Sequence, residues 1–446
     1  MYRVPDTLAG KDKTMSSIWS EQITLPEFPE LREDLRTNVL IIGGGLAGLL
    51  CAYYCKQAGI ETVLLEADTI AGGVTGNTTA KVTSQHGLRY AKMCDQYGLE
   101  LTRQYLEANE LAIRQYKKLS WHYQFEFEEK DAYLFSTTDE WMLRKEVDVL
   151  HRLTYPAEYV TKTELPFEVK AAVRFPEQGQ MNPYRLVAEI SKELPIYEHS
   201  RVKEMTEYFA VTEKGTVTAE KIIIATHFPI IDKKGLYFLK LYQQHSYVLA
   251  LKGVKELDGI YLETEENGIS LRSVGDTLLL GGGGNRAGKP ARGYEYLRNF
   301  ANMYFPDATE YANWAAQDCM SLDGIPYIGC YSKSTPDLYV ATGFNKWGMT
   351  SAMIAAQILT DLVQGYDNEY AKLFSPSRGM FSRQLFTNLK EATVNLLSFG
   401  GKRCTHLGCK LRWNALEHTW DCPCHGSRFD EEGNPIKNPA SDPLKK

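Results

Sequence analysis

Two short loops near the end of this chain hold the residues best suited to chemistry. CTHLGC carries Cys404 and His406 as a C-x-H pair, and CPCHGSRF carries Cys422 and His425 as a C-x-x-H pair. Two thiolates and two imidazoles can hold a [2Fe–2S] cluster with both sulfurs on one iron and both histidines on the other. Short Cys/His pairs also suit tetrahedral Zn²⁺. A zinc site, however, has no use for the further cysteines Cys409 and Cys424, or for the Gly-Ser after His425.

A second constellation lies near the other end. NVLIIGGGLAGLLCAYYCKQAGIETVLLEA reads strand, tight turn, helix, strand, with G-x-G-x-x-G at Gly43, Gly45 and Gly48 and an acidic residue, Glu66, closing the second strand. In such a unit the first glycine turns the chain, the second lets backbone approach a pyrophosphate, and the third packs the helix on the strand. The helix N-terminus faces the phosphates, and the carboxylate accepts from ribose hydroxyls. The plain alternative is a glycine-rich turn without nucleotide. The fingerprint alone does not choose between FAD and NAD. The next segment, IAGGVTGNTTAKVTSQHG, is small and hydroxyl-rich and permits close contact with a bulky cofactor. Much later, TPDLYVATGFNKWGMTSAMIAAQILTDLV again runs strand, glycine turn, helix. A second helix N-terminus can stabilise negative charge on a reduced flavin, or it is an ordinary strand–helix connection.

The two cysteine loops resemble those of the Rieske proteins of electron transport. That resemblance implies Cys404, His406, Cys422 and His425 as ligands, and Cys409 and Cys424 as a disulfide tying the loops together. It also implies that Ser427 donates to a cluster sulfur. High-potential members of that family carry tyrosine where this chain has Phe429, and one donor fewer lowers the reduction potential. GGGLAG, GNTTAKVT, EKIIIATHFPI, DGIPYIG and TGFNKWGMT together resemble the D-amino-acid oxidase or glycine oxidase superfamily of FAD-dependent oxidoreductases. They match in particular a bacterial subgroup with a C-terminal Rieske module. The implied fold is an α/β FAD-binding domain (Rossmann-like, GR2-type) interleaved with an antiparallel β-sheet substrate domain, plus a small all-β Rieske-type module. The resemblance places Thr78, Thr79 and Lys81 near the flavin ring, with Gly343, Gly348 and Met349 closing over its pyrimidine side.

The elements that must position these groups divide the chain as follows. Residues 1–36 form an N-terminal extension, with residues 1–14 an unstructured addition before a natural start at Met15. Residues 37–378 form the oxidoreductase domain, with FAD-binding segments at about 37–90, 170–230 and 318–365. Residues 379–400 are a helical linker, and residues 401–446 a partial Rieske module. So short a module lacks most of the strands that normally build the scaffold below the cluster, and depends on metal, disulfide or docking for stability.

At 446 residues the chain is too long for one core. With 43% hydrophobic and 24% charged residues it has globular composition, and a net charge of −6 argues against nucleic-acid partners. No apolar run reaches the roughly 20 residues of a membrane span, and the N-terminus lacks the apolar stretch of a signal peptide. The remaining cysteines are scattered singly, as in a reduced cytoplasmic protein, where a disulfide is slightly out of place.

The resemblance implies oxidation of a C–N bond in an amine or amino acid by hydride transfer to flavin, without an obligatory acid–base pair. Arg272, Arg286, Tyr242 and Tyr247 lie in the β-rich region that would roof the flavin, where an arginine fork and tyrosine hydroxyls can hold a small acid. Core or surface roles compete for each, as they do for His86 and His227, and no catalytic residue is assigned. A one-electron cluster beside a two-electron flavin implies two sequential one-electron steps and an external acceptor, which the sequence leaves unknown. Two other readings remain: a flavin oxidase with a vestigial cluster module, and a non-catalytic redox sensor or electron-transfer adaptor.

Overall fold

The computed structural model describes residues 17–231, 234–380 and 382–445; residues 1–14 and Met15 lie outside them. The apolar run Val39–Ile42 forms the core of the strand Leu35–Ile42, buried on both faces as a central parallel strand requires. Around it the first sheet runs in the order Tyr327–Ser332, Thr335–Thr342, Thr216–Ile224, Leu35–Ile42, Thr62–Leu65, Ile196–Tyr197. All neighbours are parallel except the first pair. The helix Leu46–Gln57 covers this sheet and packs against the helix Gly348–Gln364. Its alanines, glycine and cysteines permit that close approach.

The second sheet has nine strands. Its spine is Thr309–Ser321, Leu241–Lys252, Thr277–Arg286, Ser270–Val274, Ile260–Glu263, Glu128–Ser136, Ala171–Gln180 and Lys81–Val82. It is antiparallel except where Ile260–Glu263 runs parallel to Glu128–Ser136. The chain enters it from the first sheet at residue 81, returns by residue 196, and leaves again from 241 to 321. Functional groups from distant segments therefore meet where the two sheets face each other. Helices Tyr90–Tyr97, Leu99–Leu119 and Trp141–Arg152 flank this region. The carboxylate of Glu146 accepts from the backbone N–H of Arg89, Tyr90 and Ala91, satisfying donors the helix itself leaves open. Trp19 is fully buried, its Nε1 donating to Thr78 O.

After the helix Arg383–Leu397, capped by the Ser382 hydroxyl, come four antiparallel strands of two or three residues: Arg412–Asn414, Thr419–Asp421, Arg428–Phe429 and Pro435–Lys437. Their core is small and half sulfur, built on Cys404, Cys409, Leu411, Cys422, Cys424, Phe429 and Ala440. No helix among the described residues is long and apolar enough to cross a membrane.

Candidate cofactor and cluster sites

Between the two sheets lies a cavity of about 1170 Å³. Its floor is the glycine turn. Gly43 has φ +110°, and a side chain there would strike Ala225 O at 2.6 Å; one on Gly48 would sit 1.9 Å from Gly43 O. Gly45 is different: a Cβ would meet nothing nearer than Thr75 Oγ1 at 3.5 Å, and the residue lines the cavity. The three glycines thus divide into one that turns, one that leaves room for phosphate, and one that packs. The Glu66 carboxylate is oriented by Gly44 N at 2.6 Å and Asp68 N at 2.9 Å, and it too lines the cavity. A dinucleotide fits this cradle.

Thr78, Thr79, Lys81, Gly343, Gly348 and Met349 all line this cavity. Lys81 Nζ donates to Thr79 Oγ1 at 3.0 Å and Ser270 Oγ at 3.1 Å. Burial, with a smaller push from Arg272, lowers its ammonium to about 7. Of the four candidates in the β-rich region, Tyr242 and Tyr247 line the cavity, whereas Arg272 and Arg286 do not. Arg272 is fully buried behind the wall and donates to Thr79 O and Ala80 O at 2.6 and 2.8 Å, holding the Thr78–Lys81 segment in place. Arg286 lies over the Tyr242 ring and donates to Asn388 Oδ1 of the linker helix. His86 sits behind the wall as well. Its Nε2 contacts Thr83 O and its Nδ1 contacts Tyr105 Oη, both at 2.7 Å, so Nε2 carries the proton and Nδ1 accepts. Burial holds it neutral, down to about 3. His227 lines the cavity beside Gln243.

The two cysteine loops repeat one backbone pattern. Cys404 N donates to Cys409 O while Gly408 N donates to Cys404 O; Cys422 N donates to Ser427 O while Gly426 N donates to Cys422 O, each at 2.9 Å. Gly408 and Gly426 take the left-handed conformation that closes each loop, at φ +79° and +77°. The loops bring the four sequence-predicted ligands together. The Cys404 and Cys422 thiols are neighbours, and each one's influence on the other pulls Cys404 down and pushes Cys422 up. The His406 and His425 rings stand perpendicular at 5.0 Å. Cys409 and Cys424 form a disulfide. Although the sulfurs of Cys409, Cys422 and Cys424 lie within 4.8 Å of one another, two of them are committed to that bond. His425 Nε2 donates to Phe238 O at 2.9 Å, leaving Nδ1 as the nitrogen with the lone pair. Two thiols and two imidazoles are the donor set a [2Fe–2S] cluster takes.

Sequence reasoning did not foresee how this module is seated. Gln317, on the cavity wall, donates to Gly426 O at 2.6 Å and to Gln243 Oε1 at 3.1 Å. Asn438 donates to Thr226 O and Phe228 O, both at 2.8 Å. Phe228 and Phe238 pack edge-on against His425. Asp318, Gln244 and Glu266 on the cavity wall were missed too, because no local motif marks them, and Lys346 was passed over inside TGFNKWGMT.

Fold and sites together define a two-centre redox protein, a nucleotide-binding body with a Cys/His iron–sulfur module seated on its cofactor cavity. The chain belongs to the FAD-dependent oxidoreductase family, whose model matches residues 38–362, and the Rieske [2Fe–2S] domain model matches residues 395–446. It is 32% identical to YhfW of Bacillus subtilis (strain 168), named as a Rieske 2Fe–2S iron–sulfur protein, over 96% of each chain. Among solved structures it resembles glycine oxidase from Geobacillus kaustophilus, with TM-score 0.66 and 20% identity, covering 78% of this chain and 100% of that one. It also resembles L-proline dehydrogenase from P. horikoshii, with TM-score 0.65 and 18% identity, covering 77% and 98%. The protein is thus an FAD-dependent oxidoreductase with a Rieske-type [2Fe–2S] module.

Proposed function

We propose that this enzyme oxidises a C–N bond of an amine or amino acid and delivers the electrons, through its own iron–sulfur module, to an external carrier. The observation that supports this reading is the hydrogen bond from Gln317, a cavity residue, to Gly426, the neighbour of His425. When bound, FAD supplies a two-electron hydride acceptor and the [2Fe–2S] cluster a one-electron store.

The residues divide the remaining work. Gly43, Gly45, Gly48 and the first turn of the Leu46–Gln57 helix hold the pyrophosphate, and Glu66 takes the ribose. Thr78, Thr79 and Lys81 line one edge of the ring seat, and Gly343, Gly348 and Met349 the other. Arg272 keeps the first of these edges fixed by tying down two of its carbonyls. Cys404, Cys422, His406 and His425 hold the irons, with the Cys409–Cys424 disulfide fixing the spacing of their loops. The apolar rings of Phe228 and Phe238 pack edge-on against His425 and shield that ligand from water.

Anaerobic rapid mixing of the purified protein with a panel of amines and amino acids tests the reading. Bleaching of the flavin band followed by loss of cluster absorbance, with a rhombic EPR signal from the reduced cluster, is the expected result. Flavin reduction that reoxidises with O₂ while the cluster spectrum stays unchanged overturns it in favour of an oxidase.

A further inference from the structure

One stretch of the cavity wall carries opposite charges that do not neutralise each other. Asp318 lies on the strand Thr309–Ser321, directly opposite Gln244 on Leu241–Lys252, and both line the cavity. Among the described residues no donor reaches the Asp318 carboxylate, and its one charged influence is Lys346. Lys346 also lines the cavity, but it donates to Asn267 Oδ1 at 3.0 Å and makes no ion pair with Asp318. Gln244 in turn reaches Glu266 at 3.4 Å.

Lys346 is held there against its backbone preference. Asn345 and Lys346 have φ +53° and +72°, consecutive left-handed residues without a glycine. Such positions cost on the order of 1–2 kcal/mol each and persist where the surroundings impose them. Here Asn345 imposes the turn, its Oδ1 accepting from Ser321 N and its Nδ2 donating to Gly343 O. The turn lies between Gly343 and Gly348 and carries the half-buried Lys346 on the cavity lining.

We infer that Asp318 and Lys346 are a split recognition pair for a zwitterionic α-amino acid, Asp318 accepting from the substrate ammonium and Lys346 donating to its carboxylate. This rests on the C–N oxidation reading and narrows its substrate class. Asp318 is half-buried and opens on the cavity; a ligand that displaces water there leaves a carboxylate without donors at a cost, and a ligand ammonium supplies them. Burial pushes Asp318 up to about 6 and lowers Lys346, and each charge partly offsets that effect for the other. An amine without a carboxylate satisfies only Asp318, and a carboxylic acid without an amine only Lys346.

Equilibrium titration of the holoenzyme, read by the flavin difference spectrum, tests the pair with two probes, methylamine and propionate, in wild type, Asp318→Asn and Lys346→Gln. Asp318→Asn is expected to weaken methylamine at least tenfold and leave propionate within threefold; Lys346→Gln is expected to do the reverse. Asp318→Glu and Lys346→Arg should recover most of the lost affinity, and unchanged FAD content shows that the variants fold. Equal loss of both probes in one variant, no loss in either, or no binding of either probe to wild type overturns the pair. Turnover is scored separately. If wild type binds both probes with the expected pattern but oxidises no amino acid, the recognition pair stands and the oxidation reading falls.

Discussion

Gln317 Nε2 lies 2.6 Å from Gly426 O, and this hydrogen bond joins the wall of the cofactor cavity to the loop that carries His425. Gln317 also accepts from His245 Nε2 at 3.1 Å, a buried histidine kept neutral by burial, down to about 4. The contact is tight enough to dictate sequence. A Cβ on Gly426 would lie 2.4 Å from Gln243 Cγ and 2.7 Å from Gln317 Nε2. The flavin body therefore acts as the scaffold that the short iron–sulfur module lacks.

Replacing Gly426 with alanine should loosen that seat. The residue sits at φ +77°, so alanine adds backbone strain to the clash, together about 1–3 kcal/mol. Limited proteolysis should then cut faster in the segment 398–403. The rate at which substrate reduces the cluster should drop at least tenfold while FAD content is unchanged. Wild-type protease resistance in this variant would show that the module is not held through Gly426.

The parts legible in the sequence were those whose chemistry is local. The strand–turn–helix that G-x-G-x-x-G marks is local, although Gly43 also packs against the distant Ala225 O, and the Cys/His loops close on themselves through bonds spanning four and five residues. Phe429, read as the loss of a tyrosine donor, is fully buried in the module's sulfur-rich core. What the sequence hid depends on register between distant strands. Asp318 faces the cavity because it pairs with Gln244, and nothing in NWAAQDCMS announces that partner. Arg272 and Arg286 stood open between substrate and structural roles, because side chains in the roofing sheet point to two faces. Arg272 takes the face behind the wall, tied to Thr79 and Ala80. The seating of the module on Gln317 was equally invisible, since it joins residues more than a hundred positions apart.

The Cys409–Cys424 disulfide closes a loop with sequence separation 15, for which chain entropy alone gives about 3 kcal/mol. For a module whose core is seven buried residues, that is a large fraction of its stability. The double variant Cys409→Ser/Cys424→Ser should be purified with less than half the wild-type iron per chain and a normal flavin spectrum. Full iron content in the variant would show that docking and metal suffice.

Ser427 is fully buried; its hydroxyl accepts from Ala440 N at 3.0 Å and is among the groups that lower the Cys404 thiol, as a donor beside its sulfur would. A donor to a ligand sulfur favours the more negative, reduced cluster. Ser427→Ala removes it together with the acceptor of Ala440 N, so iron content is measured alongside to show that the module still holds its cluster. If the lost bond is worth about 1.5–3 kcal/mol, the midpoint potential should fall by roughly 60–130 mV. Redox titration followed by EPR reads this directly, and an unchanged or raised potential would count against the bond.

Lys81 gives the fold a pH dependence of predictable sign. Its ammonium titrates near 7 in the folded protein because burial, and then Arg272, disfavour the charge, whereas in the unfolded chain it titrates near 10.4. Below pH 7 both states are protonated, and the folded protein bears the full cost of the buried charge. Between about 7 and 10 the folded state gives up its proton first, so the cost shrinks as pH rises and vanishes above the unfolded value. Lys81→Met removes the charge and keeps the stem. The flavin-free variant should therefore unfold at higher urea than flavin-free wild type at pH 6.5, by on the order of 1–3 kcal/mol. The two curves should converge as pH approaches 10. A gap that stays constant with pH would mean that Lys81 keeps its proton in the fold.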